Sequence, residues 1–124
     1  MSQQLPDETL RKILVQIQQT AVQSQRALSL TRAQVASKER ERRVLQLTIS
    51  EINSTGQEVN LYKGVGKMFM LTPRVEMQRN LASQEKELTD DISNLNKKAK
   101  YLERQFNEAQ GQLRDIFHNR TDDS

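Results

Sequence analysis

Val59-Asn60-Leu61-Tyr62-Lys63-Gly64-Val65-Gly66-Lys67-Met68-Phe69-Met70-Leu71 is the stretch whose reading decides the fold. Two short runs of β-branched, aromatic and long apolar residues flank a pair of glycines, which predicts a β-hairpin. A tight turn centred on Gly64-Val65 or on Val65-Gly66 gives the same two faces. Val59, Leu61, Met68 and Met70 share one face; Tyr62, Phe69 and Leu71 share the other with Asn60 and Lys67. Both faces are largely apolar. A lone hairpin is marginal in water and leaves two edges of unpaired backbone groups, and flanking helices cover part of one face only. A plain chain reversal between helices needs only a few polar residues, so the segment reads as an interface. Val59, Leu61, Tyr62, Gly64, Val65, Gly66, Met68, Phe69, Met70 and Leu71 are expected to join strands of other chains in a larger sheet or barrel, closing the edges and burying both faces.

Outward from this stretch the chain turns polar and helical. Of 124 residues only 35% are hydrophobic and 4% aromatic, with 4 Gly and 2 Pro to make turns. A compact globule needs more apolar side chains and more reversals than that. Long helices need neither, because each buries one narrow stripe.

On the C-terminal side, Thr72-Pro73 offers an N-cap hydroxyl and a proline suited to the first helical position. Leu81, Leu88, Leu95, Leu102, Ala109 and Ile116 then recur every seven residues, interleaved with Ile92, Ala99, Phe106 and Leu113. Glu85 is the polar interruption of the second row. A repeat this strict calls for a partner helix in a left-handed coiled coil.

On the N-terminal side, Pro6 with Asp7 and Glu8 marks a helix start, since acidic residues in a first turn complement the helix dipole. A seam with alternating spacings of four and three follows: Leu10, Leu14, Ile17, Ala21, Ser24, Leu28, Thr31, Val35, Lys38, Arg42, Leu45, Ile49 and Ile52. It is apolar at first, thin at Ser24 and Thr31, and basic at Lys38 and Arg42, where the pairing is expected to be loose. Lys38 to Arg43 mixes glutamates with its basic residues, and its reading is a solvated helix face rather than a nucleic-acid patch or nuclear signal.

The junction between this helix and the hairpin supports two readings. Leu45, Leu47 and Ile49 alternate with polar residues in strand fashion, and Thr48-Ile49-Ser50-Glu51 has capping-box spacing. The expectation is a helix over about 6–47, a helical turn and linker with Gly56 leading into the hairpin over about 48–71, and a second helix over about 73–119, all in one domain. The fold class is mostly α: a long antiparallel two-helix coiled coil joined by a single β-hairpin that assembles between subunits.

Composition narrows the chemistry. Lys and Arg number 19 against 16 Asp and Glu, a net charge of +3 that does not argue for nucleic acid. Without cysteine there are no disulfides, thiolate metal sites or cysteine nucleophiles. No signal-peptide pattern opens the chain and no apolar run approaches the roughly 20 residues that span a bilayer, so a cytoplasmic location with no membrane partner is expected. The single His118 reads as a solvent-facing helix-end residue. Gly64-Val65-Gly66 lacks the third glycine and the following helix of a dinucleotide fingerprint. No enzyme, cofactor or metal is expected.

Leu5, Leu10, Ile13, Ile116 and Phe117 gather apolar side chains near both chain ends, which antiparallel helices bring together far from the hairpin. Ile13 and Phe117 fall off the seam. Two readings stay open: these residues bind apolar segments of other proteins, or they only close the end of the coiled coil.

The run Asn60 to Leu71, set between two heptad helices, resembles the hairpin of prefoldin β-class subunits. Lys100-Tyr101-Leu102-Glu103-Arg104 resembles the second helix of the same class, and the likeness covers most of the chain. The resemblance implies a six-subunit, ATP-independent co-chaperone in which hairpins build a double β-barrel platform and coiled-coil arms hold client at their tips. It implies other prefoldin subunits of the α and β classes as partners, unfolded actin and tubulin as clients, and delivery to the cytosolic group II chaperonin. The hairpin residues named above become assembly positions, and Leu5, Leu10, Ile13, Ile116 and Phe117 become candidate client contacts. A rival reading of the residues is a structural coiled-coil tether that oligomerises through its hairpin and binds a folded partner.

Overall fold

Helices α1 (Asp7–Ser54) and α2 (Arg74–Asp122) hold 48 and 49 residues, with strands β1 (Leu61–Val65) and β2 (Met68–Thr72) between them in sequence. The computed structural model describes residues 7–55, 61–65 and 68–122. Asp7 and Glu8 occupy the first turn of α1. Pro73 immediately precedes α2, and its carbonyl accepts the first helical bond from the Met77 amide at 3.0 Å. The expected range of about 73–119 thus becomes Arg74–Asp122.

The larger departure is at the end of α1. In place of an end or kink near Leu47, the helix is continuous to Ser54, so Asn53 and Ser54 of the expected linker are helical. The Thr48 hydroxyl caps nothing; it donates to the Val44 carbonyl at 2.9 Å, one turn back in the same helix. Leu45 is buried and Ile49 half-buried, whereas Leu47 is exposed. The strand-like alternation is a helical seam with one aliphatic residue on its far side.

The chain divides into two compact units, each built from a piece of both helices. The first joins Met1–Ala33 to Leu95–Ser124. Its core is Ala21, Leu28, Leu102 and Ala109 with two hydroxyl residues, Ser24 at 3% exposure and Thr31 at 1%. The Thr31 hydroxyl satisfies itself on the Ala27 carbonyl at 2.8 Å, and the Ser24 hydroxyl donates to Gln105 Oε1 at 3.3 Å. Arg32 Nη2 meets Glu103 Oε2 at 3.5 Å. Residue numbers rise on α1 as they fall on α2, so the helices pair antiparallel here. The thin part of the seam is its most buried part, because small side chains let two helices approach closely and exclude water from the little that lies between them.

The second unit is Gln34–Asn94. Leu45, Ile52 and Ile92 are buried, each worth roughly 1.5–3 kcal/mol of apolar burial if fully removed from water. Lys38 Nζ reaches Asp91 Oδ2 at 3.3 Å, Gln46 Nε2 reaches Glu85 Oε1 at 3.0 Å, and Gln78 Nε2 reaches Asn53 Oδ1 at 3.1 Å. The order is again antiparallel. Glu85, the interruption in the second heptad, is therefore met by an amide from α1. Lys38 and Arg42 are half-buried, as are Leu81 and Leu88 of α2. Basic side chains keep their charges wet and fill a seam incompletely.

The last turn of α1 contains no basic residue, and its terminal carbonyls are met from elsewhere. Ser54 and Thr55 hydroxyls donate to the Glu51 and Ile52 carbonyls at 2.8 and 2.7 Å. Arg74, the first residue of α2, donates from Nη1 to the Ile52 carbonyl at 2.6 Å and from Nη2 to Thr55 Oγ1 at 3.0 Å. One guanidinium caps one helix from the start of the other, and its charge complements the negative end of the α1 dipole.

β1 and β2 pair antiparallel, Leu61 opposite Thr72, Tyr62 opposite Leu71, Lys63 opposite Met70, Gly64 opposite Phe69 and Val65 opposite Met68. This register differs from both tight-turn registers expected above. It leaves Gly66 and Lys67 as the connecting pair, and these lie outside the described residues. The shift is by whole cross-strand pairs, so the two alternating sets of positions are the same in every register.

Candidate functional site

The expected assembly positions fall on the strand pair. Leu61, Tyr62, Gly64 and Val65 lie in β1, and Met68, Phe69, Met70 and Leu71 in β2. The register sets Tyr62 opposite Leu71, Gly64 opposite Phe69 and Val65 opposite Met68. Leu71 is 62% exposed. Val59 and Gly66 lie outside the described residues.

The expected tip positions belong to the first unit. Leu10, Ile13 and Ile116 are half-buried, and Phe117 is exposed. Ile13 is half-buried although it stands one residue off the seam, because a helix face wide enough to pack covers the flanking row as well. Leu5 lies outside the described residues.

Sequence reasoning passed over two features. Arg74 gives no local signal, since its partners are Ile52 and Thr55, some twenty residues earlier. The exposed aliphatic residues Val15, Val22, Leu30, Val44 and Leu47 all sit on α1, whereas α2 exposes only Val75, Tyr101 and Phe117 among its large apolar residues. Their intervals of seven, eight, fourteen and three residues, each close to whole helical turns and offset from the seam, are the signal that finds them.

Among the described residues no cluster of His, Asp or Glu is arranged to hold a metal ion, and no helix is long and apolar enough to cross a membrane. His118 is exposed on α2. The two ion pairs seen between the helices, Arg32–Glu103 and Lys38–Asp91, are at least a third exposed on every partner and contribute about 0–1 kcal/mol each.

Two heptad-patterned helices that pair antiparallel, with a strand pair between them in sequence, define a coiled-coil helical hairpin protein. The chain belongs to the prefoldin subunit family, whose model, described as Prefoldin subunit, matches residues 15–120. Prefoldin subunit 1 of Homo sapiens is 30% identical over 111 residues, covering 90% of this chain and 91% of that protein. Probable prefoldin subunit 1 of Schizosaccharomyces pombe is 32% identical over 107 residues, covering 86% and 96%. In fold, the chain is similar to the crystal structure of the prefoldin beta subunit from Thermococcus strain KS-1, with a TM-score of 0.78 over 93% of this chain and 96% of that one, at 19% identity.

Proposed function

We propose that this chain is one subunit of a hetero-hexameric, ATP-independent co-chaperone. In this reading the strand pair joins the strands of other α- and β-class prefoldin subunits in an intersubunit β-barrel. The helix segments most remote in sequence from the strands, with Leu5, Leu10, Ile13, Ile116 and Phe117, hold unfolded client by several weak apolar contacts at once. By resemblance to the family the clients are unfolded actin and tubulin, and the complex delivers them to the cytosolic chaperonin. The observation that carries the reading is the match of residues 15–120 to a family of subunits, on a chain whose helices pair antiparallel.

Multivalent capture needs no nucleotide and no catalytic group, because binding energy from separate arms adds within one complex. The test is aggregation of a chemically unfolded client, followed by light scattering, with the reconstituted complex and without nucleotide. The complex is expected to suppress aggregation, and removal of Met1 to Leu10 together with Ile116 to Ser124 is expected to weaken that suppression while the native mass of the complex, corrected for the deletion, is kept. Undiminished suppression by the truncated complex would reject the tip assignment. A complex that suppresses nothing but binds a folded partner would be the tether instead.

A further inference from the structure

One face of α1 within the first unit departs from what a solvated coiled-coil surface requires. Lys12, Val15, Gln19, Val22, Arg26 and Leu30 stand three or four residues apart, so each neighbours the next along one side of the helix, and all are exposed. Val15, Val22 and Leu30 are 51%, 45% and 62% exposed. Single exposed aliphatic residues are ordinary; three on one row are a stripe. The stripe is also one-signed. From Thr9 to Lys38 the chain has no Asp or Glu. Of the five basic residues there, Arg32 is matched by Glu103 and Lys38 by Asp91, whereas Arg11, Lys12 and Arg26 have no ion pair among the described residues. The outer side of α2 in the same unit differs, with Lys97, Lys100, Arg104 and Arg114 interspersed with Glu103, Glu108 and Asp115.

We propose that this stripe is a client-binding surface selecting unfolded segments that combine apolar with acidic side chains. The inference rests on the holdase reading above and adds the chemistry of the client to it. The spacing suits an extended chain. Val15 and Val22 are about 10 Å apart along the helix and Val22 and Leu30 about 12 Å, close to three or four residues of extended client at roughly 3.3 Å each. Apolar client side chains meet the aliphatic positions, an acidic one between the partners of Val22 and Leu30 meets Arg26, and one beyond the partner of Val15 meets Lys12. The charge contacts are exposed, so they bias selection at low salt and fade as salt rises.

The experiment uses the full reconstituted complex with two chemically unfolded clients, reduced α-lactalbumin as the acidic chain and reduced lysozyme as the basic one. Val15→Gln, Val22→Gln and Leu30→Gln together remove the aliphatic stripe with residues that favour helix. They are expected to raise the complex concentration needed for half-suppression of α-lactalbumin aggregation by about fivefold. Lys12→Glu with Arg26→Glu is expected to weaken protection of α-lactalbumin alone and to leave lysozyme equally or better protected, with the difference vanishing at high salt. Both variants should assemble at the native mass. Wild-type suppression by the glutamine variant would overturn the proposal, as would charge reversal acting equally on both clients. Loss of the variant subunit from the complex would overturn it too, since a neighbouring subunit would then be what covers the stripe. If the wild-type complex protects neither client, the holdase reading itself fails, an outcome distinct from all of these.

Discussion

Arg74 ties the end of one helix to the beginning of the other with two donors, 2.6 Å to the Ile52 carbonyl and 3.0 Å to Thr55 Oγ1. A methionine keeps the length of the side chain and much of its apolar stem but loses both bonds and the charge. Hydrogen bonds from charged donors are worth about 1.5–3 kcal/mol, so Arg74→Met is expected to speed hydrogen exchange of the Thr55 amide by roughly 10- to 100-fold. The amide bonds to the Glu51 and Ile52 carbonyls within the same last turn. Unchanged exchange there would mean that the Ser54 and Thr55 hydroxyls hold the turn without Arg74. No local pattern around Arg74 announces this role. A helix-end signal is legible when it lies within a few residues of the end, as the acidic Asp7 and Glu8 do in the first turn of α1, and hidden when the chain must fold to bring donor and acceptor together.

At the scale of elements, the seam was legible and its tightness was not. Each position of the row from Leu10 to Ile52, and each of the row from Leu81 to Ile116, is at least half-buried. A seven-residue period survives because it is the period of the partner's surface. What it does not report is interhelical distance. Ser24 and Thr31 look like defects in an apolar row, yet they are the most buried residues of α1. Thr31→Leu, which improves the heptad on paper, is therefore expected to destabilise the coiled coil by about 1–3 kcal/mol through overpacking. The check is the urea midpoint of the helical signal. A raised midpoint would show that the helices have room to move apart. The misplaced end of α1 has the same origin. Leu45 and Ile49 are seam residues, and Leu47 added the third member of a pattern that two different faces of one helix produced together.

For the whole molecule, residues 15–120 match the prefoldin subunit family, and the proposed assembly turns on the strand pair. The register of the segment Asn60 to Leu71 could not be read from its residues because three adjacent turn placements, centred at Gly64-Val65, Val65-Gly66 or Gly66-Lys67, share one alternation of positions. Placing Asp at Phe69 and Met70 introduces two charges into the proposed barrel without touching either heptad. Phe69→Asp with Met70→Asp is expected to reduce recovery of this subunit in the purified complex at least tenfold, equivalent to about 1.4 kcal/mol or more of lost association, while far-ultraviolet circular dichroism keeps its helical signature. Co-purification at full yield would reject the assembly role of the strands.

The Arg74 bonds to Ile52 and Thr55 have a further consequence, which concerns entropy. A strand pair that must find neighbouring strands loses conformational freedom when it docks, and the loss grows with the slack of the chain that carries it. Here both ends of the intervening segment are held by a single side chain, so part of that loss is already incurred when the chain folds. The bond acts as a short tether that raises the effective concentration of each strand near the other. In the proposed assembly its contribution is a gain in readiness, present before any neighbouring subunit arrives.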